Sequence, residues 1–212
     1  MKLTEITDQI IRAIDGTVRT DDSKMSERAI EALVPKWKQM AHLIIYNGSK
    51  NSKANKFIGA ENYMRDTLTY DASVQVAGAE FVRFQGEAAV QLNDYHNGCR
   101  FIGDSKTGQN FILLRSPSDY GVYKDAGLIS LNEVYYCNTG PYWDTYGNLQ
   151  LKSIDRDFIP ADPLGVASFN PDTMEYPVSK DVLDLILKLA VSELAPEAAK
   201  PADLLNNESS NG

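Results

Sequence analysis

The spacing of apolar residues changes twice along this chain, and these changes limit the folds that are open to it. In residues 3–46 and again in 179–194, apolar side chains recur every three or four positions, which is the period of an amphipathic helix. From about residue 70 to 168, short apolar or alternating runs are separated by Gly, Asn and Asp, as in strands joined by tight turns. The pattern predicts an α+β protein in which an N-terminal helical hairpin and a C-terminal helix pack together, with an antiparallel β domain inserted between them.

The same pattern divides the chain into four parts. We expect a helical layer of residues 1–47 plus 176–195, a linker or loop of 48–69, an antiparallel β domain of 70–175, and an extended C-terminal tail of 196–212. The tail is too polar and too rich in Pro, Ala and Asn to build a core, so we expect little order there in the free subunit.

A few residues mark where the helices should end, bend and begin. Gly16 should end the first helix and Gly48 the second. Pro35 lacks a backbone N–H inside the second helix, so a kink or a broken turn is expected there. Ser179 should cap the C-terminal helix, which we expect to end at Pro196 or just before it.

The middle of the chain contains candidate strands separated by polar turns. A hairpin loop is predicted at 104–110 and another turn at 146–148. The candidate strands are 73–76, 80–84, 88–92, 99–102, 111–114, 120–124, 133–137 and 149–154.

Charge and composition exclude several classes of protein. The formal net charge of −8 and the pI near 4.8 argue against a sequence-independent nucleic-acid binder, which needs a cationic face. No signal peptide is predicted, because no charged segment followed by an apolar run opens the sequence. We expect no membrane partner, because no apolar run approaches the ~20 residues of a membrane helix. Cys99 and Cys137 are expected to be free, mostly buried thiols.

No motif has catalytic or metal-binding spacing, so we predict no catalytic residue, no metal ligand and no cofactor. Residues 103–108 superficially suggest a phosphate loop, but a Walker motif needs Lys and Ser or Thr directly after its second glycine, where this chain has Gln109 and Asn110. His42 and His96 have no Cys or His partner at metal-ligand spacing.

Three neighbouring carboxylates leave one enzymatic alternative open. Asp155, Asp157 and Asp162 lie near the end of the predicted β domain. Paired acids can serve glycoside hydrolysis or bind calcium, although a solvated strand end followed by Asp-Pro turns is the simpler interpretation. A carboxylate-dependent hydrolase would need two of these acids facing each other in a pocket.

Aromatic residues also cluster late in the β domain. They can form its core and rim, anchor a subunit interface, or stack on sugars. The interface candidates are Tyr135, Tyr136, Tyr142, Trp143 and Tyr146. The sugar-stacking alternative predicts a carbohydrate- or surface-binding β module with a shallow exposed aromatic groove.

Two polar segments are candidates for contacts with other molecules. One contains Lys50, Lys53 and Lys56, and is expected to be a solvated loop, or else a loop that contacts an acidic surface or faces DNA. In the other, two prolines form a stiff spacer before residues 202–212, which are predicted to clip onto a partner. The docking candidates are Leu194, Pro196, Pro201, Asp203, Leu204, Leu205, Asn206 and Asn207.

Motifs at the two ends of the chain resemble those of one class of proteins. The N-terminal motifs are Ile10–Gly16, the acidic turn and Arg-x-Ile helix start of Thr20–Ile30, and a long helix with Leu43-Ile44. The C-terminal motifs are Tyr176–Ser179, an apolar helix with Glu193-Leu194, then Pro201-x-Asp203 and Asn206-Asn207. In this order they resemble the virion structural proteins of tailed phages of Bacteroidetes hosts, the crAss-like phages among them.

The resemblance implies a subunit of the head-to-tail connector, also called an adaptor or ring protein, made in the host cytoplasm and stacked below the portal of the virion. Such proteins form homo-oligomeric rings, commonly of twelve subunits, around the DNA channel. The implied partners are other copies of the chain, the portal protein, the next tail ring protein, and DNA that passes without sequence-specific binding. The inserted β domain departs from the simplest connectors, which are nearly all helical.

Overall fold

The computed structural model describes residues 1–15, 26–50, 59–93, 96–130 and 132–198. It confirms the α+β class, with helices towards both ends and sheets between them. The chain divides into two compact units: a helical unit that contains the residues before 57 and after 170, and a β unit between them.

The elements are numbered in chain order. The helices are α1 (Leu3–Asp15), α2 (Glu27–Lys50), α3 (Pro117–Asp125) and α4 (Lys180–Ala198). The strands are β1 (Met64–Thr69), β2 (Phe81–Gln85), β3 (Gln91–Asn93), β4 (His96–Asn97), β5 (Cys99–Asp104), β6 (Ile112–Leu113), β7 (Tyr135–Thr139), β8 (Tyr142–Tyr146) and β9 (Ser153–Phe158).

In the helical unit, α1, α2 and α4 pack against one another in all three pairs. Each helix contributes an apolar stripe, and helices from opposite ends of the chain stabilise one another by burying these stripes together. The buried apolar residues include Ile6, Ile10, Ile30, Val34, Trp37, Val182, Ile186 and Ala190. The prediction that the N-terminal helices and the C-terminal helix pack together is therefore confirmed.

Two helices continue through prolines, so the broken turn considered at Pro35 and the helix end expected at Pro196 are both absent. α2 runs without a break past Pro35 and Gly48 to Lys50, and α4 runs past Pro196 to Ala198. Proline removes one backbone hydrogen bond, but it fixes φ at about −65°, which is also a helical value. Pro35 is buried, so the packing of the helical unit offsets the lost hydrogen bond and the helix is not broken.

The segment before α4 is tied to the start of the chain. The N–H of Tyr176 donates to the carbonyl oxygen of Met1 at 2.9 Å, and Lys2 Nζ donates to the carbonyl oxygen of Asp172 at 2.6 Å. The terminal amino group also lies 3.1 Å from the Glu175 carboxylate. These contacts fix the start of α4 close to the start of α1.

Glu193 joins α4 to α2. Its carboxylate accepts hydrogen bonds from Lys36 Nζ at 2.7 Å and from Trp37 Nε1 at 2.8 Å. The hydrogen bond from Lys36, followed by that from Trp37, lowers the pKa of Glu193. Because the folded pKa lies below the unfolded one, the resulting stability is present above the unfolded value of about 4.3 and is lost as the pH falls through the folded value.

We expect Glu193→Gln to lower the free energy of unfolding by about 0.5 kcal/mol or less at neutral pH, since the carboxylate is partly exposed. The difference from the unchanged chain should shrink on acidification from about pH 6 to about pH 3. Urea unfolding at a series of pH values measures it. Asp184→Asn, at an exposed position of the same helix, is the matched control, and a difference that grows on acidification would contradict the assignment.

The described residues of the β unit form three sheets. One antiparallel sheet has the order β1-β9-β5, the second has the order β2-β8-β7-β6, and β3 pairs with β4. The second sheet is mixed, because β6 runs parallel to β7. Trp143 of β8 packs edge-on against Phe158 of β9 with ring centroids 5.8 Å apart, so the core lies between the two larger sheets.

Residues 64–69, which the sequence assigned to the linker, form β1. Buried Met64 and Leu68 alternate with exposed Arg65 and Thr67, which is the pattern of a strand with one buried face. Because polar residues outnumber apolar ones in this strand, its alternation does not stand out in the sequence.

Two candidate strands are wrong. Residues 120–124 lie in α3, which begins where the backbone N–H of Ser116 donates to Asp119 Oδ2 at 3.0 Å and Pro117 takes the first helical position. Residues 73–76 begin inside a short 3-10 turn. The other six candidates overlap β2, β3, β5, β6, β7 and β9, whereas β8 is not among them.

Candidate functional site

A groove lies on the sheet formed by β1, β9 and β5. Its volume is about 590 Å³, within the range of small-molecule sites. In the register of the sheet, Thr67 stands opposite Asp155 and Arg65 opposite Asp157. The groove is lined by Arg65, Asp66, Thr67, Phe101, Asp155, Arg156, Asp157 and Ser168.

Two of the three acids singled out from the sequence line this groove. Asp155 Oδ1 accepts a hydrogen bond from Thr67 Oγ1 at 2.7 Å. Asp157 is buried, and its Oδ2 accepts from Arg100 Nε at 2.8 Å and also from Arg100 Nη2. The two acids occupy alternate positions of one strand, so they stand side by side. This differs from the facing pair that a carboxylate-dependent hydrolase would need.

Asp162, the third acid, is not in the groove. Its Oδ1 accepts a hydrogen bond from the N–H of Leu164 at 3.0 Å and caps a short 3-10 turn. The Asp-Pro turn proposed from the sequence is therefore present at this residue. In the part of the chain that the structure describes, no group of three His, Cys, Asp or Glu side chains could hold a metal ion.

Phe101 and Gly103 form an apolar surface beside Asp155. Gly103 stands opposite Asp155 in the sheet. A Cβ atom at this glycine would lie 2.7 Å from Cζ of Phe101 and inside contact distance of the carbonyl oxygen of Gln109. The position of the Phe101 ring therefore depends on the absence of a side chain at position 103. Because the ring is only half-buried, it presents part of its surface next to the carboxylate.

Arg156 and Asp66 form a buried ion pair on the inner face of the same sheet, behind the groove. Arg156 Nη2 donates to Asp66 Oδ2 at 2.7 Å, and Nη1 donates to the carbonyl oxygen of Glu87 at 2.6 Å. The guanidinium carbon lies 3.9 Å from the ring centroid of Phe158 and 4.9 Å from that of Trp143. Burial lowers the pKa of Arg156, and the hydrogen bond to Asp66 opposes that shift.

The charges around the groove are largely compensated. Arg156 pairs with Asp66, and Arg100 pairs with Asp157. Asp155 is bound by a hydroxyl group, and Arg65 is exposed and forms no ion pair within the described ranges. The net charge of the groove is therefore close to zero. Within the described ranges, the guanidinium of Arg65 and the carboxylate of Asp155 have no ion-pair partner.

The structure corrects the aromatic interface hypothesis at four of its five residues. Tyr135, Tyr136, Trp143 and Tyr146 are at most 5% exposed. They lie on the two inner strands of the four-stranded sheet, where both faces are covered. Burial raises the pKa of Tyr146 to about 12. These rings form the core of the folded subunit, so they cannot also anchor a partner.

Tyr142 is the partly exposed member of this aromatic cluster. The guanidinium of Arg83 lies 4.5 Å from its ring centroid, and Arg83 also binds both oxygens of Asp144 at 2.7 and 2.8 Å. A sugar-stacking platform of Tyr142, Trp143 and Tyr146 is therefore absent, because two of its three rings are buried.

The predicted partner-docking residues fall at or beyond the end of α4. Leu194 is 5% exposed and belongs to the core of the helical unit, so its assignment to a docking surface is corrected. Pro196 lies within α4. Pro201, Asp203, Leu204, Leu205, Asn206 and Asn207 lie outside the described residues.

The lysine segment is also described only at its start. Lys50 is the last residue of α2, and Lys53 and Lys56 lie outside the described residues. The proposed contact with DNA therefore stays a prediction.

Both cysteines are free thiols. Burial raises the pKa of Cys99 to about 12 and that of Cys137 to about 11. Because the thiolate is the reactive form, neither side chain is poised as a nucleophile at neutral pH.

The two histidines and the loop after Gly103 are the other candidates that the sequence offered for chemistry. His42 is buried on α2, and the side chain of His96 is not among those described. The loop after Gly103 is a hairpin closed by its own residues, with the N–H of Gly108 donating to the carbonyl oxygen of Asp104 at 2.8 Å. Among the described residues, no helix combines the length and the apolar character that crossing a bilayer requires.

Sequence reasoning missed most of the groove. Asp155 and Asp157 were identified, but Arg65, Thr67 and Phe101 were not. Arg65 and Thr67 alternate with two buried apolar residues, but this period of two is a weak signal, because polar residues outnumber apolar ones in the strand. No local signal brings Phe101 to the same face, because the pairing of β5 with β9 joins residues that are 50 to 59 positions apart in the chain.

Comparison with protein-family models gives no match, and comparison with curated protein sequences gives none either.

Proposed function

We propose that this chain is a structural subunit of the head-to-tail connector of a tailed phage, and that it assembles as a ring below the portal. The observation that carries the proposal is that the described helices of the two segments that resemble phage virion proteins lie in one helical unit. α1 and α2 come from the N-terminal segment and α4 from the C-terminal one, and all three pack together. A chance likeness of two separate segments would not require them to fold as one body.

The chemistry of the described residues also favours a structural role. The acids of the groove accept hydrogen bonds from Thr67 and Arg100, and burial keeps both thiols protonated at neutral pH. The net charge of −8 suits a ring through which DNA slides. A strongly cationic lining would instead hold DNA through the release of its counterions.

In this proposal α4 carries the clip, which consists of residues 202–212. A short polar segment can bind along a neighbouring subunit by main-chain hydrogen bonds and a few side-chain pockets, without a large preformed surface of its own. The helical unit would then hold the ring together, and the clip would select the portal or the next ring protein.

Truncation after Ala198 tests this assignment, because it leaves α4 complete. We expect the full chain to form a ring on purified portal, and the truncated chain to keep its melting temperature and circular dichroism spectrum while it loses portal binding. Native mass spectrometry and sedimentation velocity measure the complexes. Replacing residues 202–212 by a Gly-Ser segment of equal length separates the effect of sequence from that of length.

Two results would overturn the proposal. One is a truncated chain that stacks on the portal as the full chain does, which would show that residues 202–212 are not needed for docking. The other is a full chain that stays monomeric both alone and with the portal, which would rule out a connector role.

A further inference from the structure

We infer that the groove on the β1-β9-β5 sheet binds a neutral carbohydrate, a function separate from the proposed connector role. The groove differs from the aromatic cluster that first suggested sugar stacking. It is built from a carboxylate, a guanidinium, two hydroxyl groups and one half-buried aromatic ring.

The charge balance favours a neutral ligand. Asp157 and Asp66 are each paired with an arginine of the same unit. An anion entering the groove would meet the Asp155 carboxylate, and a cation would meet the guanidinium of Arg65. A polyhydroxylated molecule avoids both repulsions, since each of its hydroxyl groups can donate to one and accept from the other.

The unpaired polar groups match such a molecule. The hydroxyl group of Thr67 already donates a hydrogen bond to Asp155 Oδ1. Among the described hydrogen bonds none is to Oδ2, so this oxygen can accept from ligand hydroxyl groups. Arg65 donates only, and the hydroxyl of Ser168 on the groove lining both donates and accepts. Hydrogen bonds to charged groups are the stronger ones in such sites.

The ring of Phe101 supplies the apolar part of the recognition. The face of an aromatic ring is electronegative, and the C–H bonds on one face of a pyranose are weakly electropositive, so the two stack. Gly103 holds this ring beside Asp155, which it stands opposite in the sheet. A volume of about 590 Å³ leaves room for a short oligosaccharide.

Ligand-detected NMR on the full chain tests the inference. The probes are maltotriose, cellotriose, xylotriose and triacetylchitotriose, with trigalacturonic acid as the anionic comparison. We expect saturation transfer to at least one neutral trisaccharide with a Kd at or below about 1 mM, and weaker transfer to the anionic one. Asp155→Asn and Phe101→Leu should each weaken binding about tenfold or more, since a hydrogen bond to a charged group or a stacking contact is lost.

The matched control for Asp155→Asn is Asp125→Asn, which changes an exposed carboxylate that does not line the groove. It should leave the Kd unchanged, and near-ultraviolet circular dichroism checks that each variant is folded. The inference is overturned if none of the four neutral sugars binds at about 10 mM, if trigalacturonic acid binds more tightly than all of them, or if both groove variants bind as the unchanged chain does.

Discussion

Asp66→Leu and Arg156→Met should each destabilise the β unit by about 3–5 kcal/mol, whereas the double replacement should cost much less. The two side chains form a salt bridge of 2.7 Å in which the arginine is fully buried and the aspartate is 8% exposed. Removing one partner leaves the other as a buried charge without compensation. Replacing both with apolar side chains removes the two charges together.

The surroundings of Arg156 make this effect larger than that of an exposed salt bridge. The guanidinium donates to the carbonyl oxygen of Glu87 and lies against the rings of Phe158 and Trp143. In Asp66→Leu, the positive charge would keep this place between the rings without its counterion. In Arg156→Met, the flexible methionine side chain can fill much of the same space.

Urea unfolding of the two single variants and the double variant measures the coupling energy directly. For a protein whose total stability is about 5–15 kcal/mol, either single change should shift the midpoint strongly. Lys124→Met provides a comparison, because both members of its pair with Glu80 are exposed. Strictly additive single effects would contradict the buried pair.

The helical unit was the part of the fold most accessible from sequence. Its stripes of Ile6, Ile10, Ile30 and Ile186 recur at helical spacing, and the period alone gives the buried face. One error concerns where the helices end, since α2 passes Gly48 and α4 passes Pro196. At Pro35, which is buried, packing across the unit keeps the helix continuous, and that packing is not visible in the neighbouring residues.

The β unit was harder because its strands are short and its pairings are distant. β1 pairs with β9 along residues 64–69 and 153–158, and no local pattern sets that pairing. β8 has the sequence Tyr-Trp-Asp-Thr-Tyr and is buried on both faces, so apolar and polar residues do not alternate along it. Without this alternation, the sequence alone does not show whether the aromatic residues of β8 are buried or form an exposed platform.

The candidate groove, like the fold, could be predicted from the sequence only in part. Asp155 and Asp157 stood out because carboxylates with a spacing of two are visible in any sequence. Their surroundings were not visible, since Thr67 and Arg100 come from different strands that pair with β9 only in the folded chain. Residue type could therefore suggest the chemistry, but the sheet register decides whether an acid is free or held.

Gly103→Ala and Gly121→Ala should change stability in opposite directions, although both add one methyl group. At Gly103 the new Cβ would meet the carbonyl oxygen of Gln109, which already accepts a hydrogen bond from the N–H of Asp104 at 3.0 Å. That carbonyl cannot move without loosening the hairpin, so we expect a loss of about 1–3 kcal/mol. Gly121 lies inside α3, and apart from its chain neighbours and the helix's own backbone no atom lies within 4 Å of the new methyl group, so alanine should stabilise it by about 0.5–1 kcal/mol.

Urea unfolding of both variants at neutral pH measures these effects. The pair of glycines is a stringent comparison, because a general effect of adding a methyl group would have one sign. Gly103→Ala must also displace the ring of Phe101, whose Cζ lies 2.7 Å from the new Cβ position, so this variant should lose any ligand that stacks on that ring. If Gly103→Ala is as stable as the unchanged chain, the hairpin is free to shift, and position 103 does not hold the wall of the groove in place.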